Sequence, residues 1–174
     1  MSHRLLSFAL VVFAAACQAH AADVIEAPET FVASAFAGNT PAPMVLWLTP
    51  DIQSDIRRIT GQRLPNLRQR YWRHDQRTAW ILEKVGKEEP ITAGFVVEDG
   101  RIVSAHVLIY RETRGWEIRY PNFRDQFIGL SLDPNLALNG KFDGIAGATL
   151  SVNAMGTMAR LALYLHGAAV KPKP

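Results

Sequence analysis

The chain has 174 residues, enough to bury one real core and too few for two comfortable domains. It is 48% hydrophobic and 20% charged with no low-complexity tract, which excludes a disordered or fibrous protein. A formal charge of +3 is too close to neutral to argue for nucleic acid as a partner.

The first residues stand apart from the rest. Arg4 supplies a positive start, Leu5 to Ala16 is an apolar run, and Ala19-His20-Ala21 is a small-x-small cleavage site. Residues 1–21 therefore read as an export signal whose apolar run is too short to span a bilayer. Cleavage before Ala22 removes one arginine and no acid, leaving +2. Cys17 is the only cysteine, so a chain cut there keeps no thiol for a disulfide, a metal or nucleophilic catalysis. A competing reading takes Ala-Ala-Cys17 as a lipobox with a lipidated Cys17, although Ala14 stands where a leucine is usual. Both readings place the protein in the periplasm or another extracytoplasmic space, and the second ties it to the membrane.

Residues 22–170 read as a single domain, with 171–174 as a tail. Ala22 to Pro28 is expected to be a flexible lead, followed by a helix from Pro28 to Ala37 that ends at Gly38-Asn39. Met44 to Leu48 suits a short strand. Thr49-Pro50-Asp51 then opens a helix in the preferred way, hydroxyl cap first and proline next, and Ile52, Ile56 and Ile59 share a face before Gly61. Leu67 to Trp72 and Thr78 to Leu82 read as strands. Ile91 to Val97 and Ile102 to Tyr110 form a hairpin around Glu98-Asp99-Gly100. A short helix over Asn122 to Ile128 carries Phe123 and Phe127 at i and i+4, as packing anchors. Leu130 to Gly140 is irregular, and Leu150 to His166 is the final helix, with Val152, Met155, Leu161 and Leu165 available for a buried face. The sum is an α+β domain, an antiparallel sheet flanked by helices.

Ahead of the last helix runs Asp143-Gly144-Ile-Ala146-Gly147-Ala148-Thr149-Leu150-Ser151. Small residues and hydroxyls at a helix entry leave room for a phosphate, which the free N–H groups and the positive end of the dipole favour. The run resembles the flavinylation signature of the FMN-binding domain family, Asp-x-x-(Ser/Thr)-Gly-Ala-Thr, with Ala146 at the usual hydroxyl position. That family includes the flavin subunits of sodium-translocating quinone reductases and related electron-transport complexes. The resemblance implies FMN held through a phosphoester on Thr149. By itself such a threonine is an ordinary helix cap.

A second segment strengthens the likeness. Arg111-Glu112-Thr113-Arg114-Gly115-Trp116, followed by the Phe123-x-x-x-Phe127 pattern, resembles the family's Glu-Thr-Pro-Gly loop and short helix, with Arg114 in place of proline. There the loop lies against the flavin, so Glu112, Thr113 and Gly115 are expected at the polar edge of the ring and Trp116 as its wall. Asp143 is expected to shape the loop by accepting backbone N–H bonds, or to help hold a divalent ion during transfer. Ser151 is expected to donate to the phosphate or to the loop. The resemblance spans roughly Ile91 to Leu165.

These readings point to an exported carrier of FMN that relays electrons between membrane or periplasmic redox partners. An FAD-dependent protein flavin transferase would load it. The rivals are a flavin-dependent periplasmic reductase and a cofactor-free binding module that keeps the fold. Arg57, Arg58, Arg63, Arg68, Arg70, Arg73 and Arg77 form a basic run, read as a solvated face or a docking surface for an acidic partner or anionic lipid. His74, His106 and His166 lack metal-ligand spacing, and no metal is expected.

Overall fold

The computed structural model describes residues 22–171. Residues 1–21, expected to be an export signal and including Cys17, and the last three residues of the tail lie outside the described residues. Six antiparallel strands make one sheet: β1 (Asp23–Val24), β2 (Pro43–Trp47), β3 (Arg68–His74), β4 (Arg77–Val85), β5 (Pro90–Glu98) and β6 (Arg101–Tyr110). Their order is β1-β6-β5-β4-β3-β2, so β2 to β6 form a meander and β1 returns to the far edge. The helices are α1 (Pro28–Ala35), α2 (Pro50–Thr60), α3 (Pro121–Arg124) and α4 (Thr149–Val170). The α+β class expected from the sequence is the architecture observed.

The sheet is covered on both faces. On one, Phe31, Val32, Ala35 and Phe36 of and just after α1 pack on Ala79, Val96 and Leu108. On the other, α4 and α2 close over Tyr71, Trp80, Phe95 and Ile102. Buried on both sides, β5 is apolar nearly throughout. Helix α4 is likewise buried over most of its surface from Ser151 to His166, where only the stripe Asn153, Thr157, Arg160 and Tyr164 is less covered. Trp80 is fully buried and stacks on Tyr71 with centroids 4.8 Å apart. Burying a large apolar side chain contributes about 1.5–3 kcal/mol, so this pair anchors the sheet under α4.

Local chemistry sets the element ends. Thr49 Oγ1 accepts from the Ile52 N–H at 3.4 Å to start α2, and Gly61 closes that helix in the left-handed conformation at φ +84°. The short helix expected over Asn122 to Ile128 divides into α3 and a 3₁₀ turn, Asp125–Phe127, and a further 3₁₀ turn spans Trp116–Arg119. Phe123 and Phe127 are buried anchors, as read, with Phe127 4.8 Å from Phe142.

Two expectations are corrected. The lead after Ala22 is not flexible chain: Asp23 pairs with Tyr110 and Val24 with Ile109, and the Ile25 N–H reaches the Leu108 carbonyl at 2.9 Å. The open edge of β6 offers backbone partners that no side-chain pattern announces. The final helix also runs past His166 to Val170, because Gly167 sits inside it instead of ending it. No helix among the described residues is long and apolar enough to cross a membrane.

Candidate functional site

The N-terminal end of α4 faces the turn between β4 and β5 and the loop that follows β6. Lys87, Glu88, Glu112, Thr113, Arg114, Gly147, Ala148, Thr149, Leu150 and Ser151 line one groove there, of about 490 Å³. Of the residues expected to bind the cofactor, the fold thus brings together Glu112, Thr113, Gly147, Ala148, Thr149, Leu150 and Ser151. Asp143, Gly144 and Ala146 precede the groove on an exposed stretch.

Thr149 is exposed and is the first residue of α4. The cap position belongs to Ala148, and no side chain caps the helix. The ordinary reading of this threonine as a cap is therefore excluded. The first intrahelical bond runs from the Val152 N–H to the Ala148 carbonyl at 2.9 Å, so the N–H groups of Thr149, Leu150 and Ser151 head the helix as its unpaired donors. No acidic residue stands in the first turn to neutralise the dipole. The long helix thus points a positive end with no acidic residue in its first turn at the groove, while the charged side chains of the walls, Lys87 and Arg114 against Glu88 and Glu112, balance one another, with Lys87 Nζ 3.0 Å from Glu88 Oε1.

Tyr110, at the end of β6, joins the two halves of the site, and sequence reasoning missed it. Its hydroxyl donates to the Arg114 carbonyl and lies 3.3 Å from Ser151 Oγ. Burial is the main cause holding this phenol above its usual pKa, so it stays a donor. Ser151, only 4% exposed, is spent on this bond and supports the loop from below. Gly115 lies buried against it at φ +81°, where an added Cβ would come within 2.9 Å of Ser151 Oγ. Only glycine allows the loop to lie this close to α4.

Glu112 takes a different part from the one expected. Its Oε1 accepts the backbone N–H of Lys87, Glu88 at 2.8 Å and Glu89 at 3.1 Å. A carboxylate seated on three successive amides ties the loop after β6 to the β4–β5 turn. Gly86 makes room for it, since a Cβ there would stand 2.7 Å from Oε1. The signal for this role was Gly86 beside a run of exposed polar residues, but its partner is more than twenty residues away.

Two further placements differ from expectation. The Asp143 carboxylate accepts no hydrogen bond among the described residues; its N–H instead donates to Gln126 Oε1 at 2.7 Å. Loop shaping through that carboxylate is thus corrected, and no group of three or more His, Cys, Asp or Glu able to hold a metal occurs among the described residues. Trp116 does not line the Thr149 groove. It borders a neighbouring depression of about 360 Å³ with Asp23, Tyr110, Arg111 and Arg119, separated from the groove by Glu112 and Thr113, which line both. Its ring meets Tyr120 edge-on at 5.4 Å and carries the Arg119 guanidinium 5.2 Å above it.

A larger cavity, about 820 Å³, opens around Leu163, Tyr164 and His166. Fifteen residues of helix separate it from Thr149, a distance of about 22 Å. It plays no part in the groove.

The groove therefore combines an unengaged hydroxyl, a helix end suited to a phosphate and a rigidly tied loop. These features fit FMN, whose phosphate needs the first two. The family model of the FMN-binding domain matches residues 86–164, from the β4–β5 turn through Thr149 to Tyr164 in the second turn from the end of α4. No curated protein matches the chain. The chain carries a domain of the FMN-binding family, and its cofactor is FMN.

Proposed function

We propose that the protein is an exported flavoprotein that holds FMN covalently on Thr149 and passes electrons between membrane or periplasmic redox partners. The observation that carries this reading is Thr149 itself, exposed, uncapped and hydrogen-bonded to nothing among the described residues, at the mouth of a groove with a positive helix end. A surface hydroxyl so placed is free to be esterified. The loading partner is an FAD-dependent protein flavin transferase. In that step a new bond forms from Thr149 Oγ to the flavin-bearing phosphorus of FAD, the pyrophosphate bond breaks, AMP leaves, and the hydroxyl proton goes to base.

Once attached, FMN supplies one- and two-electron chemistry, and the chain's own residues hold it. The first three N–H groups of α4 and the positive end of its dipole meet the phosphodiester charge, and Arg114 on the wall adds a cation. The Tyr110–Ser151 contact and the Glu112 clamp keep the loop from closing or drifting. A covalent tether also prevents loss of a cofactor by dilution outside the cytoplasm.

Co-expression with a flavin transferase, followed by denaturation and intact-mass measurement, tests the reading. The wild-type chain should gain the mass of one FMN residue and keep its yellow colour after denaturation, and Thr149→Ala should gain nothing. A wild-type chain of unmodified mass, or equal labelling of Thr149→Ala, overturns it.

A further inference from the structure

On the α1 face of the sheet, α1 covers β4, β5 and β6, only Trp72 of β3 packs against that cluster, and β2 adds nothing to it. The β2 side of the sheet is unusual in composition. Met44, Val45, Trp47 and Leu67 are 44%, 49%, 63% and 68% exposed. Met44 and Val45 are successive residues of a strand and so point to opposite faces of the sheet. The apolar side chains therefore wrap around the edge strand instead of lining a flat patch.

Cations surround this edge. Arg68 pairs with Trp47 across the β2–β3 ladder and sets its guanidinium 5.7 Å from the ring centroid; Arg70 pairs with Val45. Arg63 projects from the exposed loop between α2 and β3. Among the described residues, Arg63, Arg68 and Arg70 make no ion pair. No acidic residue occurs from Pro43 to Pro50 or from Gly61 to His74. The loop is also pre-formed: the side chain of Gln53, buried in α2, donates to the Leu64 and Asn66 carbonyls at 3.2 and 3.3 Å and accepts from the Leu64 N–H at 3.1 Å.

We infer that this rim is a docking surface for an anionic phospholipid bilayer. A tryptophan with aliphatic neighbours and arginines is suited to the headgroup layer, where the ring is half-buried and the cations meet phosphates. Apolar side chains on both sides of one strand need a medium that closes around an edge. A fluid bilayer does so, whereas a protein would need a slot of matching shape. The free edge of β2 finds hydrogen-bond partners among headgroups and their water.

The position has a consequence for the flavin site. β3 runs antiparallel to β4, and Gln69 at its start reaches the Ile81 carbonyl midway along β4. The start of β3 thus lies towards the end of the sheet that carries the β4–β5 turn, which walls the Thr149 groove. Docking there brings the groove towards the membrane surface. This surface does not depend on the covalent attachment proposed above, and its test needs no flavin.

The chain from Ala22 onward contains every element of the fold and lacks the apolar leader. It is mixed with vesicles of phosphatidylcholine alone, or of equal parts phosphatidylcholine and phosphatidylglycerol, and binding is read by co-sedimentation. The wild type should bind only the anionic vesicles, and added salt should weaken binding. Arg68→Glu/Arg70→Glu and Trp47→Ser/Leu67→Ser should each weaken it at least about tenfold, with unchanged thermal unfolding. Arg68→Lys/Arg70→Lys, which keeps the charge, should retain it. Lipids brominated on the acyl chain should quench the wild type more than Trp47→Phe. Absence of binding to anionic vesicles at low salt overturns the inference. So does wild-type binding by the Trp47→Ser/Leu67→Ser variant, or binding of an acidic protein with none of either vesicle.

Discussion

The hydroxyl of Tyr110 lies 3.3 Å from Oγ of Ser151, and through it the last strand of the sheet holds the first turn of α4. Because that hydroxyl also donates to the Arg114 carbonyl, one side chain fixes both walls of the groove. Tyr110→Phe removes both bonds and leaves a buried Ser151 hydroxyl without its partner. A loss of about 1–2 kcal/mol is expected in urea unfolding, with slower flavin attachment to Thr149. Wild-type stability and labelling rate together would mean that the loop is held in another way.

The Glu112 clamp gives a graded series. Glu112→Ala strips the acceptor from three amides on an exposed turn and is expected to cost about 1–3 kcal/mol. Glu112→Gln keeps an oxygen in place and should recover part of that. Gly86→Ala drives a Cβ against Oε1, and its effect should largely vanish in the Glu112→Ala background. Denaturant unfolding of the three single variants and the double mutant measures the coupling; strictly additive costs would separate Gly86 from Glu112.

Thr149→Ala distinguishes a chemical hydroxyl from a structural one. A capping threonine costs about 1 kcal/mol on truncation. Thr149 occupies the position after the cap and bonds to nothing among the described residues, so the unloaded variant should match the wild type within about 0.5 kcal/mol. A cost of a full kilocalorie would restore the capping role.

What could be read from the sequence depended on whether the signal was local. The proline after Thr49 and the glycine after Thr60 marked α2 to the residue, and the alternation around Glu98-Asp99-Gly100 marked the central hairpin, because caps and turns are chosen by neighbouring side chains. Strand β1 escaped because two residues carry no period and their pairing is made by the backbone of β6. The site followed the same division. The Gly-Ala-Thr run announced the helix end, whereas Tyr110 looked like the end of a strand and Glu112 like a ligand. Glu112 finds its amides more than twenty residues back and Tyr110 finds Ser151 41 residues on, on elements that only the folded sheet brings together.

His166 ties the far end of α4 to the sheet, and its chemistry sets a pH dependence. The Gly100 N–H donates to Nε2 at 3.2 Å, which leaves Nδ1 as the protonated nitrogen facing Thr78 Oγ1 at 2.9 Å. Thr78 Oγ1 also accepts from Trp80 Nε1 at 2.8 Å and donates to the Val97 carbonyl at 3.4 Å. Every member of the network is satisfied with the imidazole neutral. A second proton would break the Gly100 bond and place a charge in the core. Burial, the largest cause, and the nearby Arg73 accordingly hold the His166 pKa below its usual 6.5. The folded state then binds fewer protons than the unfolded state at mildly acid pH, so stability must rise with pH there. The contribution of His166 is complete above about 6.5 and is lost as pH falls from that value towards the folded pKa. Urea midpoints measured from pH 8 down to pH 5 should show this decline. His166→Gln should be less stable at pH 8 and lack that part of the slope. An unchanged slope in the variant would assign the acid sensitivity to another group and leave His166 a purely structural link.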